Sequence, residues 1–315
     1  MQSLDLTVLT QAHQWVANKQ ATWLCTIVKT VGSSPRPVGS MMSYSQGKAV
    51  GTLSGGCVED DLLARLAAGE FRSQQPALVE YGVSAAENER LGLPCGGRLE
   101  ILVQTLGEAD EIWLNEVVDA LAARSLIRRD VDRLSGTTTL HPSNTRHPLS
   151  LDDHYLQHTL GPKMRMLLVG AGQLAQVLAS LAIPMDYDVQ VIDPREDAIA
   201  QWQGPPVPLL HGFPDDRIRE LVPDQHTVII TLTHDPRIDD MALLEALQSD
   251  ATYVGALGSL RTTAARLERL EMLELNAQQI ARLHAPVGLS IGSKTPWEIA
   301  VAIMAELIKH QRTPV

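Results

Sequence analysis

One short segment constrains the fold of this chain more than any other: Gly170-Ala171-Gly172-Gln173-Leu174-Ala175. It follows an apolar run, MRMLLVG, and opens an amphipathic stretch, QLAQVLASLA. A G-x-G-x-x-A turn between a strand and a helix has a physical logic. Gly170 permits the tight turn, Gly172 lets the backbone approach a pyrophosphate, and Ala175 allows the helix to pack close on the strand. A pyrophosphate there would sit on the helix N-terminus, where amides lack partners. Asp193 ends a second apolar run, YDVQVID, where an acid accepts a ribose hydroxyl bond. Arg195, two residues on, is placed to touch a phosphate. HTVIITLT, RIDDMALLEALQSD and TYVGALGS continue the strand–helix alternation. That alternation predicts a parallel, doubly wound sheet of the Rossmann type from residue 164 to 315.

A chain of 315 residues has room for two domains. The N-terminal stretch MQSLDLTVLTQAHQWVANKQ reads as an amphipathic helix. ATWLCTIVKT reads as a buried strand, with Trp23, Cys25 and Ile27 on one face and Leu24 and Val28 on the other. GSSPRPVGS is a loop, and SMMSYSQGKAVGTL a hairpin turned at Gln46-Gly47. CVEDDLLARLAAGE is a helix with acids in its first turn, as the helix dipole favours. ALVEYGV and RLEILVQTL are strands, and EADEIWLNEVVDALAARS is a helix. The expectation is a mixed α/β domain over residues 1–142, followed by a polar linker over 143–163. His141, His147, His154 and His158 are spaced irregularly and read as solvated side chains, not metal ligands. No internal repeat is visible.

A net charge of -11 argues against nucleic acid and an anionic membrane surface as partners. No stretch reaches the roughly 18 apolar residues that span a bilayer. The N-terminus has neither the basic nor the apolar region of a signal peptide. Cys25, Cys57 and Cys95 are too few for a disulfide framework, so the expected compartment is the reducing cytoplasm.

Two cysteines stand beside glycines. Ser54-Gly55-Gly56-Cys57 precedes a helix, where exposed amides and the dipole favour an anion and a thiolate. Glu59 and Asp60 in the same turn oppose that charge. Pro94-Cys95-Gly96-Gly97 is the second pair. Ser33, Ser34 and Arg36 form a phosphate-binding type of cluster. Cys25, inside an apolar strand, reads as core.

Together these residues resemble the XdhC/CoxI family of molybdoenzyme maturation factors. The resemblance covers nearly the whole chain. In the first half it rests on Gly32-Ser33-Ser34-Pro35-Arg36 with Gly39 and Met42, on Gly51 through Glu59, and on Cys95-Gly96-Gly97. In the second half it rests on Gly170-Ala171-Gly172, Asp193-Pro194-Arg195, Thr233-His234-Asp235, Tyr253 through Ser259, Pro286 through Leu289 and Ile291 through Pro296. Gln173, Leu260 and Ser290 stand where many relatives have His, Arg and Asp.

The resemblance implies binding of the molybdenum cofactor, as molybdopterin or its dinucleotide form. It implies protection of that cofactor, sulfuration with a cysteine desulfurase, and insertion into an apo molybdenum hydroxylase such as xanthine dehydrogenase or aldehyde oxidoreductase. The expected partners are that apo molybdoenzyme client and the desulfurase, with a homodimer also compatible. An accessory factor, not an enzyme, is the expectation. The expected cofactor contacts are Gly170, Gly172, Asp193, Arg195, Gly55, Gly56, Cys57, Cys95, Gly96, Ser33 and Arg36, with Cys57 or Cys95 as the molybdenum contact. The alternative is an NAD(P)-dependent oxidoreductase or a nucleotide-sensing regulator, with NAD(P) or another nucleotide as ligand.

Overall fold

The computed structural model describes residues 4–32, 36–84, 97–233 and 235–312. Ser33, Cys95, Gly96 and His234 therefore lie outside the described residues. The chain divides into two compact units, residues 2–162 and residues 163–315.

The first unit holds a five-stranded antiparallel sheet. Its strands are β1 (Thr22–Val31), β2 (Met41–Ser45), β3 (Lys48–Gly51), β4 (Ala77–Tyr81) and β5 (Arg98–Leu106), in the order β3-β2-β1-β5-β4. β2 and β3 are joined at Gln46 and Gly47, both at positive φ, which is the backbone a two-residue hairpin turn requires. The two faces of β1 bury different partners. Trp23, Cys25 and Ile27 pack in one cluster with Leu62 and Leu66 of α2 (Cys57–Ala67). Leu24 packs in another with Val8 and Leu9 of α1 (Leu4–Ala17) and Leu114 and Val117 of α3 (Glu111–Ala122). Each such large apolar side chain contributes about 1.5–3 kcal/mol on burial.

The segment expected to be a linker is largely a second sheet. β6 (Leu126–Asp132), β7 (Thr138–Ser143), β8 (Ser150–Leu151) and β9 (Tyr155–Leu160) pair in the order β7-β6-β9-β8. β9 runs antiparallel to β6 from Ile127↔Leu160 to Asp132↔Tyr155. Leu156, His158 and Leu160 of β9 are buried, so the alternation was present but masked by a histidine on the inner face. His158 is thus not solvated: burial, and then the Arg129 and Arg146 charges, hold it neutral, well below the usual imidazole range. Its cross-strand neighbour Arg129 is fully buried and donates to Thr26 Oγ1 (2.8 Å) and Gln104 Oε1 (3.2 Å).

The second unit is a six-stranded parallel sheet in the order β12-β11-β10-β13-β14-β15. Its strands are β10 (Met164–Val169), β11 (Tyr187–Asp193), β12 (Leu209–His211), β13 (Thr227–Thr231), β14 (Tyr253–Ala256) and β15 (Leu283–His284). Numbered from β10, that order is 3-2-1-4-5-6, the doubly wound Rossmann arrangement with its switch point between β10 and β13. β10 and β13 are wholly buried beyond Met164, as strands covered on both faces must be. Met166 and Leu168 pack with α4 (Gln173–Ala182) and α10 (Pro296–Arg312) in one cluster. Leu167 and Val169 pack with α7 (Pro236–Ala246) in the other.

Candidate functional site

The carboxyl end of this sheet carries a cleft of about 810 Å³ in the second unit. Gly170 and Gly172 form its floor, and Arg195, Thr233, Arg237 and Lys294 line its sides. Gly170 has φ +109, and a Cβ there would stand 2.8 Å from Thr233 Cγ2. Gly172 differs. It is the N-cap of α4 with φ -78, and a Cβ built on it meets nothing within 4 Å. No acceptor among the described residues takes the amides of Gly172, Gln173 and Leu174. They form an N-terminal donor set open to an anion.

Asp193 stands where the sequence placed it, at the end of β11, but it does something other than expected. It is fully buried. One oxygen accepts from the Ala171 amide (2.8 Å) and Arg195 Nη2 (2.7 Å); the other accepts from the Arg195 amide and Nε (2.9 Å each). Burial works to raise its carboxyl, and these donors outweigh it, so the group is held below the usual carboxylate range. The acid thus ties the glycine turn to Arg195.

The same device recurs across the cleft. Asp235-Pro236-Arg237 repeats the tripeptide Asp193-Pro194-Arg195. Asp235 caps α7 by accepting from the Arg237 amide (2.9 Å), and it takes Arg237 Nε (3.0 Å) and Nη2 (2.7 Å) in a fork. That fork holds Asp235 at about 2. The two pairs follow the strands on either side of β10. Both arginines lining the cleft are therefore charge-balanced by their own aspartates. The ammonium of Lys294, by contrast, has no partner among the described residues. Sequence reasoning missed both Lys294 and the second clamp. The repeated Asp-Pro-Arg tripeptide was the signal for the clamp.

Thr233 is fixed from behind the cleft. Its hydroxyl donates to Asp239 Oδ1 at 2.7 Å, and Asp239 Oδ2 takes Arg266 Nη2 at 3.0 Å in a buried ion pair. Gly258, Ser259 and Thr262 line a second cavity of about 410 Å³, bounded also by Thr233 and Arg266.

In the first unit, α2 does begin at Cys57, and Gly55 and Gly56 are exposed beside it. The amide nest before it is already filled. Glu59 Oε2 accepts from Thr52 Oγ1 (2.7 Å) and from the amides of Leu53 (2.8 Å), Ser54 (3.2 Å) and Gly55 (3.3 Å). Burial raises the Glu59 carboxyl, and these four bonds together overcome it and lower it. The expected anion site at Gly55 is thus occupied by the chain's own carboxylate. Cys57 itself is a free, exposed thiol, whereas Cys25 is buried and its thiol pushed up to about 12 by desolvation. Arg36 is exposed. The described residues hold no cluster of three or more metal-capable side chains. No described helix is long and apolar enough to cross a membrane.

Residues 166–307 match the XdhC Rossmann domain, and residues 15–82 match the XdhC and CoxI family. The chain is 26% identical to the molybdenum cofactor insertion chaperone PaoD of Escherichia coli, over 96% of this chain and 87% of that protein. It is 26% identical to a probable xanthine dehydrogenase subunit of Bacillus subtilis, over 92% of this chain and 93% of that protein. A crystal structure described as a xanthine dehydrogenase from Bacillus halodurans superposes with a TM-score of 0.75 at 26% identity, over 97% of this chain and 96% of that one. With both units matched in order, the chain belongs to the XdhC and CoxI family.

Proposed function

We propose that this chain is a maturation factor for a molybdoenzyme: it binds the molybdenum cofactor and delivers it to an apo molybdenum hydroxylase. The observation that carries the reading is the open glycine turn at Gly172 above a cleft of about 810 Å³, in a chain like an insertion chaperone along nearly its whole length. The donors fit such a group. A phosphate or pyrophosphate needs amides and a cation, which Gly172, Gln173 and Lys294 offer. A molybdenum–sulfur centre suits a soft thiolate, and Cys57 is exposed at a helix start.

In this reading the chain's own residues bind and shield. The turn anchors the phosphate end, and Asp193 keeps the turn in shape by holding Ala171 and Arg195 together. The bound cofactor, once in the client, supplies the redox chemistry of hydroxylation. Sulfuration beside a cysteine desulfurase, a cytoplasmic setting and a homodimeric state belong to the same proposal.

The test is purification from molybdate-replete cells, with molybdenum and the fluorescent oxidised pterin measured per chain, followed by mixing with an apo molybdenum hydroxylase. We expect both to be retained and hydroxylase activity to appear. Absence of metal and pterin, together with NAD(P)-dependent turnover of a small metabolite by the pure chain, would replace this reading with an oxidoreductase.

A further inference from the structure

We infer that the cleft of the second unit reads a diphosphate and withholds itself from ribose: Lys294 supplies the charge, and the Asp193–Arg195 fork closes the position where a ribose diol would be held. The inference refines the proposed cofactor site and rests on that reading only for the natural ligand's identity.

The argument starts from acceptors. A Rossmann turn that binds NAD holds the unphosphorylated ribose diol with a carboxylate at the end of the second strand, which must have oxygens to spare for the hydroxyls. Asp193 is at that place, but both its oxygens are spent on the Ala171 amide, the Arg195 amide and the Arg195 guanidinium, and it has no exposed surface. A ribose diol can claim it only by displacing a two-point charged fork, one of the stronger contacts a carboxylate makes. The chain thus keeps the outline of the dinucleotide motif without its sugar-reading function.

The second step concerns charge. A diphosphate brings at least two negative charges. Arg195 and Arg237 are each neutralised by their neighbouring aspartate, at 2.7 Å in both cases. Lys294 is the one cation lining the cleft that has no partner among the described residues. It stands just before α10, whose first-turn Glu298 accepts the Lys294 and Thr295 amides (2.7 and 3.0 Å) and so fixes the loop that carries it. The open amides of Gly172 and Gln173 approach a phosphate from the floor, and Lys294 from the wall.

Calorimetric titration with inorganic pyrophosphate and with ADP-ribose separates the two halves of the claim. The wild type should bind both with affinities within about threefold, because the ribose adds no carboxylate contact. Lys294→Gln, an exposed substitution, should weaken pyrophosphate by about tenfold or more, the worth of one charge-assisted hydrogen bond. Arg195→Ala, and Arg195→Lys as a variant that keeps the charge but not the fork, should release Asp193 and raise the preference for ADP-ribose over pyrophosphate by about tenfold. Melting curves first establish that each variant is folded. The inference is overturned if wild type binds no pyrophosphate, if Lys294→Gln binds it unchanged, or if wild type already prefers ADP-ribose tenfold. A preference unchanged in the folded Arg195 variants overturns the role of the fork. Neither probe contains molybdenum or a pterin, so these results stand apart from the cofactor-retention assay.

Discussion

Replacing Gly170 and Gly172 one at a time separates what the turn does for the fold from what it does for a ligand. Gly170→Ala places a side chain on a backbone at φ +109, a conformation that costs a non-glycine residue about 1–3 kcal/mol. The added Cβ would also stand 2.8 Å from Thr233 Cγ2 and 3.3 Å from the Thr233 amide. Thr233 cannot swing aside freely, because its hydroxyl is committed to Asp239 at 2.7 Å. Overpacking of that kind adds about 1–3 kcal/mol. The sum, about 2–6 kcal/mol, is a large part of a single domain's stability. Gly172→Val meets neither problem: φ is -78, the surroundings are open, and the loss is about 1 kcal/mol for a poorer N-cap. At about 2–4 °C per kcal/mol for a domain of this size, Gly172→Val should melt within a few degrees of wild type. Gly170→Ala should melt far below it. Both should lose pyrophosphate affinity, Gly172→Val because its branched side chain enters the approach to the open amides. Calorimetry and melting on the same samples decide the matter. A Gly172→Val protein that binds like wild type would refute the view that a ligand approaches this turn, and a Gly170→Ala protein as stable as wild type would refute the packing argument.

Other outcomes follow from single contacts. Cys57 should react with a thiol reagent at once in the native protein and Cys25 only on unfolding, since burial pushes the latter's thiol up to about 12; Cys57→Ala should accordingly impair cofactor retention or client activation more than Cys25→Ala, which should lower the melting temperature instead. Asp239→Asn should cost about 3–5 kcal/mol in denaturant unfolding, because Arg266 would be left buried beside a neutral partner. Glu59 has its carboxyl lowered in the folded chain, so its stabilisation is full above the unfolded value near ~4.3 and is lost as pH falls through the folded value. The protection of the Leu53, Ser54 and Gly55 amides, measured as hydrogen exchange relative to the intrinsic rate at each pH, should therefore fall at acid pH in wild type and be low at every pH in Glu59→Ala.

The parallel sheet was legible because each strand is a near-continuous apolar run and each helix follows a turn signal; β10, β11, β13 and β14 all lie where the runs placed them. The β1 faces and the Gln46-Gly47 hairpin were legible for the same reason, period-two alternation closed by a turn. The second sheet was not. β6 reads LIRRDVD, and its inner face is Ile127, Arg129 and Val131. A buried arginine breaks the apolar alternation, and His158 breaks it again on β9. Buried polar pairs of this sort are invisible to a pattern that equates polarity with solvent. Of the site, the glycines were legible, because backbone conformation is written in residue type. The occupancy of Asp193 was not, since nothing in its own segment says which donors reach it, although Arg195 two residues on is the partner that does.

The two glycine nests expected to hold anions have different fates, and one residue in each explains it. In α2 the third helical residue is Glu59; in α4 it is Ala175. A glutamate at that position reaches back over the N-terminus and supplies the negative charge itself, as in a capping box. Glu59 does so with three loop amides, and Glu298, third in α10, does the same with the amides of Lys294 and Thr295. Ala175 cannot, and it is buried where close helix–strand packing needs a small residue, so the donors at Gly172 stay open. The requirement that places a small residue at the end of the G-x-G-x-x-A motif therefore also keeps the anion site of that motif unfilled. The acidic first turn of α2, which suits the helix dipole, takes the same opportunity away from Gly55. What remains at α2 is the exposed Cys57 thiol together with the amides of Gly56, Cys57 and Val58, which no acceptor among the described residues takes.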